Sequence, residues 1–253
     1  MAAPAWLTAR PIAHRGLHGL EPDLEENTLG AVEAAIARGL PAEVDLRITA
    51  DGGLVVFHDA SLRRLTGRPE TVAELDLDAL RGIPYARGGE TIASIDDLFA
   101  LVSGRTPLLI ELKSPGRRDA TEAMVAAFGR SLSRYGGDVA AMSFDPDLVE
   151  LLRRRMPEVP RGILSGEGLE PGAPRGGTLT DRLIRSEILH APRTRPDFVG
   201  YAHAALPRPG VALQRRIFGL PVLAWTVRGE TAAARALRHA DQIIFEGYIP
   251  AAA

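Results

Sequence analysis

The 253-residue chain contains no cysteine, which excludes disulfides and thiolate metal centres and fits a reducing or an oxidising compartment equally. It contains one lysine, Lys113, against 29 arginines. It has no apolar run approaching the roughly 20 residues that cross a bilayer, so no integral membrane segment is expected. The first ten residues, MAAPAWLTAR, lack the apolar stretch of a secretory leader, which makes the cytoplasm the expected address. Charge of one sign is not in excess: the formal net charge is −2, and nothing points to nucleic acid as a partner. No internal repeat and no tract of a single residue type occurs. No feature of the sequence sets an oligomeric state, so a homo-oligomer is neither required nor excluded.

What is present is the composition of an ordinary globular protein, with 45% hydrophobic and 25% charged residues. Its length matches one (β/α)₈ barrel of about 250 residues, and a single domain over residues 1–253 is expected. The lysine content carries more information. Arginine serves this chain wherever a positive charge suffices, so the one exception indicates that a compact ammonium is needed at position 113.

Short apolar or alternating runs predict strands at Pro11 to Ala13, Ala42 to Ile48, Leu54 to Asp59, Leu108 to Lys113 and Val139 to Phe144. Four more are expected at Gly162 to Leu164, Phe198 to Tyr201, Val222 to Val227 and Gln242 to Phe245. The turn Ala50-Asp51-Gly52-Gly53 is too short for a parallel crossover, so Leu54 to Asp59 is read as an antiparallel hairpin return. Setting it aside leaves eight strands.

Helical spacing follows Glu26-Asn27-Thr28, where Asn27 or Thr28 supplies the cap. It recurs at Ile95 to Leu101, with Ser94 and Asp97 as a capping box, and at Thr121 to Tyr135, Asp147 to Met156, Asp181 to Leu189 and Glu230 to His239. Strand and helix alternate, which predicts parallel βαβ units closed as a TIM barrel with one extra hairpin strand. The Gly- and Pro-rich stretch Gly166 to Gly177 follows a strand directly. It is expected on the C-terminal face, where barrel active sites form, and is read as a lid.

Glu43 and Asp45 stand two apart on an expected strand, so their carboxylates share one face, and Glu111 and Lys113 repeat the spacing. Acidic pairs on strands usually face solvent, and the spacing alone decides little. If the three carboxylates converge they need a cation, and hard oxygen donors select one divalent ion, Mg²⁺ or Ca²⁺. His14 and His58 each close an apolar strand run, where imidazoles can act as acid and base near neutral pH. Arg15, beside His14, offers a planar fork to phosphate oxygens, with Lys113 as a point charge opposite. His18, His190, His203 and His239 are read as structural.

The segments His14-Arg15-Gly16, Glu26-Asn27-Thr28-Leu29, Glu43-Val44-Asp45, Thr49-Ala50-Asp51-Gly52, Val56-Phe57-His58-Asp59 and Leu62-Arg63-Arg64-Leu65-Thr66 resemble, in this order, the motifs of the glycerophosphodiester phosphodiesterases. Glu111-Leu112-Lys113, Ser143-Phe144 and Ala224-Trp225-Thr226-Val227 extend the resemblance over residues 11 to 246. Each motif alone is weak, but six within about seventy residues are specific. The resemblance implies metal-dependent hydrolysis of a small glycerophosphodiester to sn-glycerol 3-phosphate and an alcohol. It makes His14 and His58 the acid and base, taken here as base and acid in that order, and Glu43, Asp45 and Glu111 the ligands of the divalent cation. Arg15 and Lys113 would hold the phosphate and Trp225 would line the pocket. Residues 60 to 107 correspond to the family's insertion, here short. The stretch Phe245-Glu246-Gly247-Tyr248-Ile249-Pro250 departs from the Asp-Arg-Pro-like ending of many members, which bears on the closing helix rather than the chemistry.

Two alternatives follow from the same residues. A lysophospholipase D or sphingomyelinase D-like activity needs an apolar groove for an acyl chain, and the Gly166 to Gly177 loop holds one large apolar residue, Leu169. A non-catalytic phosphodiester-binding barrel would be expected to have lost a histidine or a carboxylate, and all five positions are filled.

Overall fold

In a computed structural model that describes residues 3–21, 23–166, 183–184 and 186–251, the nine expected strands all form. They are β1 (Ile12–Ala13), β2 (Ala42–Ile48), β3 (Leu54–Val56), β4 (Leu108–Leu112), β5 (Val139–Ser143), β6 (Arg161–Ser165), β7 (Phe198–Ala202), β8 (Val222–Val227) and β9 (Gln242–Phe245). All neighbours run parallel except β3, which returns antiparallel on β2. β1 pairs with both β2 and β9, so the eight parallel strands close on themselves. The expected barrel with one hairpin strand is the fold.

Closure divides each strand's side chains into two sets. Ile12, Leu109, Ala140, Met142, Leu164, Phe198, Leu223 and Ile244 form one buried cluster, the barrel interior. Leu7, from the short helix Trp6–Ala9 that precedes β1, joins this cluster and plugs the N-terminal end. The alternate residues, among them Val44, Leu108, Ile110 and Ala141, pack outward with the helices. Phe198 fits the interior only because residue 162 is glycine: a Cβ there would sit 2.2 Å from the Phe198 ring.

Thr28 caps the helix Leu29–Ala37, its side chain accepting from the Ala31 N–H. Ser94 and Asp97 form the expected capping box on Ile95–Val102. The expected Thr121 to Tyr135 helix instead spans Arg118–Leu132, because the tight turn Ser133 to Tyr135 ends it. The last expected helix stops at Ala236 rather than at His239. A helix at Pro209–Ile217 had no counterpart in the hydrophobic pattern, and its physical reason is plain: Val211 is its one fully buried residue. Of the expected Asp181 to Leu189 helix, Asp181, Arg182 and Arg185 lie outside the described residues and Glu187 to Leu189 form a turn, while the proposed lid beyond Gly166 lies outside the described residues. Among the described residues no helix follows β9.

The segment after the hairpin builds a core of its own. Leu62, Leu65, Val72, Leu80, Ile83, Tyr85 and Ile92 pack on Val55 and Phe57. That anchors the end of the hairpin, where His58 and Asp59 stand, against the barrel.

Candidate active site

The ladder at the barrel seam places four polar residues in one row. Ala13 pairs with Phe245 on one side and with Ala42 on the other, and Val227 pairs with Phe245. One residue further along each strand come Arg228, Glu246, His14 and Glu43, all at the C-terminal mouth. Parallel neighbours in register point to the same side of the sheet, so Glu246, His14 and Glu43 continue the inward set begun by Ile244 and Ile12. The His14 N–H donates to the Phe245 carbonyl at 2.9 Å, which fixes the backbone on which the imidazole stands.

The turn after β1 explains the His-Arg-Gly segment. Arg15 has φ +54° and Gly16 φ +78°, and a Cβ on residue 16 would lie 2.7 Å from the Ala31 carbonyl carbon. A left-handed arginine is strained by roughly 1–2 kcal/mol. Its surroundings hold it there: the Arg15 N–H donates to Glu43 Oε2 at 3.0 Å, and its Nη1 donates to Glu26 Oε1 at 2.6 Å.

Glu43 and Asp45 on β2 and Glu111 on β4 converge as their spacing predicts, since Asp45 and Glu111 are register partners. All three are buried, and each offers an oxygen within 4.8 Å of the others. Burial, then the neighbouring Asp45 and Glu111 charges, push the Glu43 carboxyl well above the usual range. Asp45 goes the other way: burial opposes its charge, but Lys113 and Arg15 outweigh that and hold it well below the usual range. Asp45 Oδ1 is buried without a hydrogen-bond partner; Lys113 Nζ, 3.2 Å away, is at ion-pair distance only. Three hard, desolvated oxygen donors, one reluctant to ionise and one unsatisfied, fit a divalent hard cation.

Lys113 stands inside this group, with Nζ 2.6 Å from Glu111 Oε1 and across Asp45 from Arg15, whose Nε lies 3.3 Å from Asp45 Oδ2. A compact ammonium fits between carboxylates where a planar guanidinium would not. Asn27, read from the sequence as a possible cap, has a different task. With φ +59° and fully buried, it donates from Nδ2 to Asp45 Oδ2 at 2.8 Å and accepts from the Asp45 N–H at 3.1 Å.

Both histidines turn Nδ1 toward a carboxylate. His14 Nδ1 lies 2.7 Å from Glu246 Oε2, and His58 Nδ1 lies 2.7 Å from Asp59 Oδ1. An ionised carboxylate only accepts, so Nδ1 carries the proton in each pair. Each carboxylate is in turn held by an arginine. Arg228 donates to Glu246 Oε1 at 2.9 and 3.1 Å, and Arg64 donates to Asp59 at 2.6 and 3.2 Å. Arg64 also donates to both oxygens of Glu26 at 2.8 and 2.7 Å, which joins the His58 support to Arg15.

His14 Nε2 faces Glu43 Oε2 at 4.0 Å. Burial pushes the His14 imidazole down to about 4, against the raising effect of its hydrogen bond to Glu246. Burial raises Glu246 too, but His14 and Arg228 outweigh it and bring the carboxyl to about 2. His58 is tied in through the hairpin, where the Phe57 N–H donates to the Asp45 carbonyl and the His58 carbonyl accepts from Arg47 Nε.

Trp225 stands on the inner wall of β8, with its ring edge-to-face on Phe144 at 5.4 Å. Its indole N–H is buried and has no hydrogen-bond partner. His18, His14 and Glu246 form a second group of possible ligand atoms. Its Glu246 oxygens are already engaged by His14 and Arg228, and a guanidinium beside them repels a cation. Glu246 is the residue that sequence reasoning passed over. The ending that departs from the family pattern reaches His14 through Glu246, and neither Glu246 nor Arg228 carried a local signal.

Fold and mouth chemistry together define the class, a barrel hydrolase of phosphoric diesters. Over residues 14–245 the chain matches the glycerophosphoryl diester phosphodiesterase family, and it belongs to that family. YhdW of Bacillus subtilis, which is named among the glycerophosphodiester phosphodiesterases, is 27% identical over 233 residues, 88% of either chain. The glycerophosphodiester phosphodiesterase of Bacillus altitudinis is 30% identical over 167 residues, 60% of this chain and 65% of its own. A crystal structure from Silicibacter pomeroyi, described as a glycerophosphoryl diester phosphodiesterase, superposes with a TM-score of 0.78 at 25% identity, covering 98% of this chain and 92% of that one. The fold is shared also with an Oleispira antarctica phosphodiesterase in complex with the product sn-glycerol-3-phosphate, at TM-score 0.77, 24% identity and coverage of 96% and 94%.

Proposed function

We propose that the chain hydrolyses glycerophosphodiesters to sn-glycerol 3-phosphate and an alcohol, with Glu43, Asp45 and Glu111 holding one Mg²⁺ or Ca²⁺. His14 is the general base and His58 the general acid. The observation that carries this reading is the 4.0 Å between His14 Nε2 and Glu43 Oε2: a proton acceptor and the acidic group border one space at the mouth. The sn-glycerol-3-phosphate held by the Oleispira antarctica enzyme supports the same class of ligand here.

The ion, when bound, supplies Lewis acidity toward a phosphate oxygen. Everything else falls to the chain's own residues. With Nδ1 donating to Glu246 and its pKa pushed down to about 4 by burial, His14 presents an unprotonated Nε2 at neutral pH, ready to accept a proton from the attacking oxygen. His58, held through Nδ1 by Asp59, delivers a proton from Nε2 to the departing alkoxide. Arg15 and Lys113 supply positive charge where the phosphoryl oxygens gain negative charge. The unpartnered N–H of Trp225 is a donor for a substrate oxygen, and its ring with Phe144 makes the apolar wall against which the glycerol lies.

The test is release of glycerol 3-phosphate from glycerophosphocholine and glycerophosphoethanolamine, with and without chelator, by wild type and His14→Ala. A lysophosphatidylcholine arm separates deacylated from acylated substrates. Hydrolysis of the deacylated diesters, lost on chelation and lowered by about 10²–10⁴-fold in the variant, is expected. Turnover that survives both treatments refutes the mechanism.

A further inference from the structure

We infer that Glu246 and Arg228 are a positioning pair for His14, fixing which ring nitrogen faces the acidic group. This rests on the reading of His14 as the base. The backbone comes first: the Glu246 N–H donates to the Val227 carbonyl at 3.0 Å and the His14 N–H to the Phe245 carbonyl at 2.9 Å. Three consecutive strands of the closed barrel, β8, β9 and β1, therefore deliver Arg228, Glu246 and His14 side by side.

The side chains complete the arrangement. A neutral imidazole carries its proton on either ring nitrogen, and a half-turn about its Cβ–Cγ bond replaces Nδ1 by Cδ2 and Nε2 by Cε1 at the places they faced. Glu246 Oε2, 2.7 Å from Nδ1, accepts a hydrogen bond there that both a flipped ring and the Nε2–H tautomer would lose, so the lone pair stays on Nε2. Oε1 is gripped at 2.9 and 3.1 Å by Arg228, which sets the carboxylate's rotation and balances its charge. His18 Nε2, 4.0 Å from the same Oε2, is the other imidazole that faces Glu246. The Asp59 and Arg64 support of His58 repeats the pattern on an unrelated segment of the chain. Two independent occurrences of imidazole, carboxylate and guanidinium argue that the arrangement serves proton transfer rather than local packing.

The experiment compares Glu246→Ala, Glu246→Asp and Arg228→Met with wild type, each also in the His14→Ala background, after thermal melts establish that the variants fold. In the otherwise native protein, Glu246→Ala lowers kcat on glycerophosphocholine by roughly 10–100-fold with KM changed less than about twofold. Glu246→Asp recovers part of the loss, and Arg228→Met costs about 2–5-fold. In the His14→Ala background each falls within about twofold of its parent, because the residue through which they act is gone. A Glu246→Ala penalty of the same size in both backgrounds overturns the proposal.

A second readout does not need turnover. Long-range ¹H–¹⁵N spectra of the imidazoles should report the Nδ1–H form of His14 in wild type and a shift toward Nε2–H in Glu246→Ala. An unchanged tautomer overturns the proposal. If wild type releases no glycerol 3-phosphate, the functional reading fails, and the spectra still decide whether the pair positions the ring.

Discussion

His58 and His14 receive the same support from segments with opposite relations to the chain. At His58 the carboxylate is the next residue, Asp59, and the guanidinium follows at Arg64. All three lie on the hairpin and the small core behind it, which hold together without the far side of the barrel. At His14 the carboxylate lies 232 residues away. It arrives only because β9 closes against β1, a contact of two register pairs, Ile12 with Ile244 and Ala13 with Phe245. One imidazole is thus held locally and the other by closure of the fold, so the two sides should fail in different ways when perturbed.

The largest expected effect falls where both sides meet. Asp45→Asn should cost at least about 10³-fold in kcat, because Arg15, Lys113 and both histidines act around that carboxylate. Glu43→Gln should abolish turnover equally. It should also raise the unfolding midpoint measured without divalent cation, by roughly 1–3 kcal/mol, since a buried carboxyl among like charges is relieved by an amide. A Glu43→Gln protein less stable than wild type under those conditions would contradict the electrostatic account.

Next come the imidazoles, for which His14→Ala and His58→Ala should each lower kcat by about 10²–10⁴-fold, as single proton carriers do. Chelation should remove the remaining activity in both. Retention of near-native turnover by either variant would show that only one side works.

Stability then sharpens the comparison. Arg64 is about half exposed but donates to two carboxylates, one of them the buried Glu26. Urea titration of Arg64→Met should report a loss of about 1–2 kcal/mol. Arg228, 64% exposed with Glu246 as its carboxylate, should cost under about 1 kcal/mol when replaced by methionine. A reversal of that order would mean that the seam, not the hairpin, carries the greater mechanical load.

The dependence of stability on pH probes the His14 side alone. His14 titrates near 4 in the folded chain against 6.5 when exposed, so between those values the unfolded chain binds more protons. Stability should therefore fall as pH drops from 6.5 toward 4, by on the order of 2–3 kcal/mol. Glu246, lowered from 4.5 to about 2, acts in the same direction further down. The part lost between pH 6.5 and 4 should be missing from the urea midpoints of His14→Ala. Identical slopes for the two proteins would contradict the desolvation of the ring.

Much of this was legible in the primary structure, and the reasons are local. Alternation of strand and helix marked the eight parallel strands, and the Gly-Gly turn marked the hairpin. Two-residue spacing put Glu43, Asp45 and Glu111 on inward positions, and the lone lysine pointed to a place where shape mattered as well as charge. What stayed hidden depended on distance or on ambiguity of chemistry. Glu246 meets His14 through closure, which no local window contains. Asn27 has the side chain of a cap, and only the fold turns that amide onto Asp45. Pro209–Ile217 buries too little to leave a periodic trace.

Lys113 carries a last consequence. Tethered to β4, its ammonium stays between Asp45 and Glu111 without having to be captured from solution. Asp45 and Glu111 therefore meet across a fixed positive charge, while Glu43 bears the repulsion of both. Any divalent ion that enters this group meets a monovalent charge already in residence.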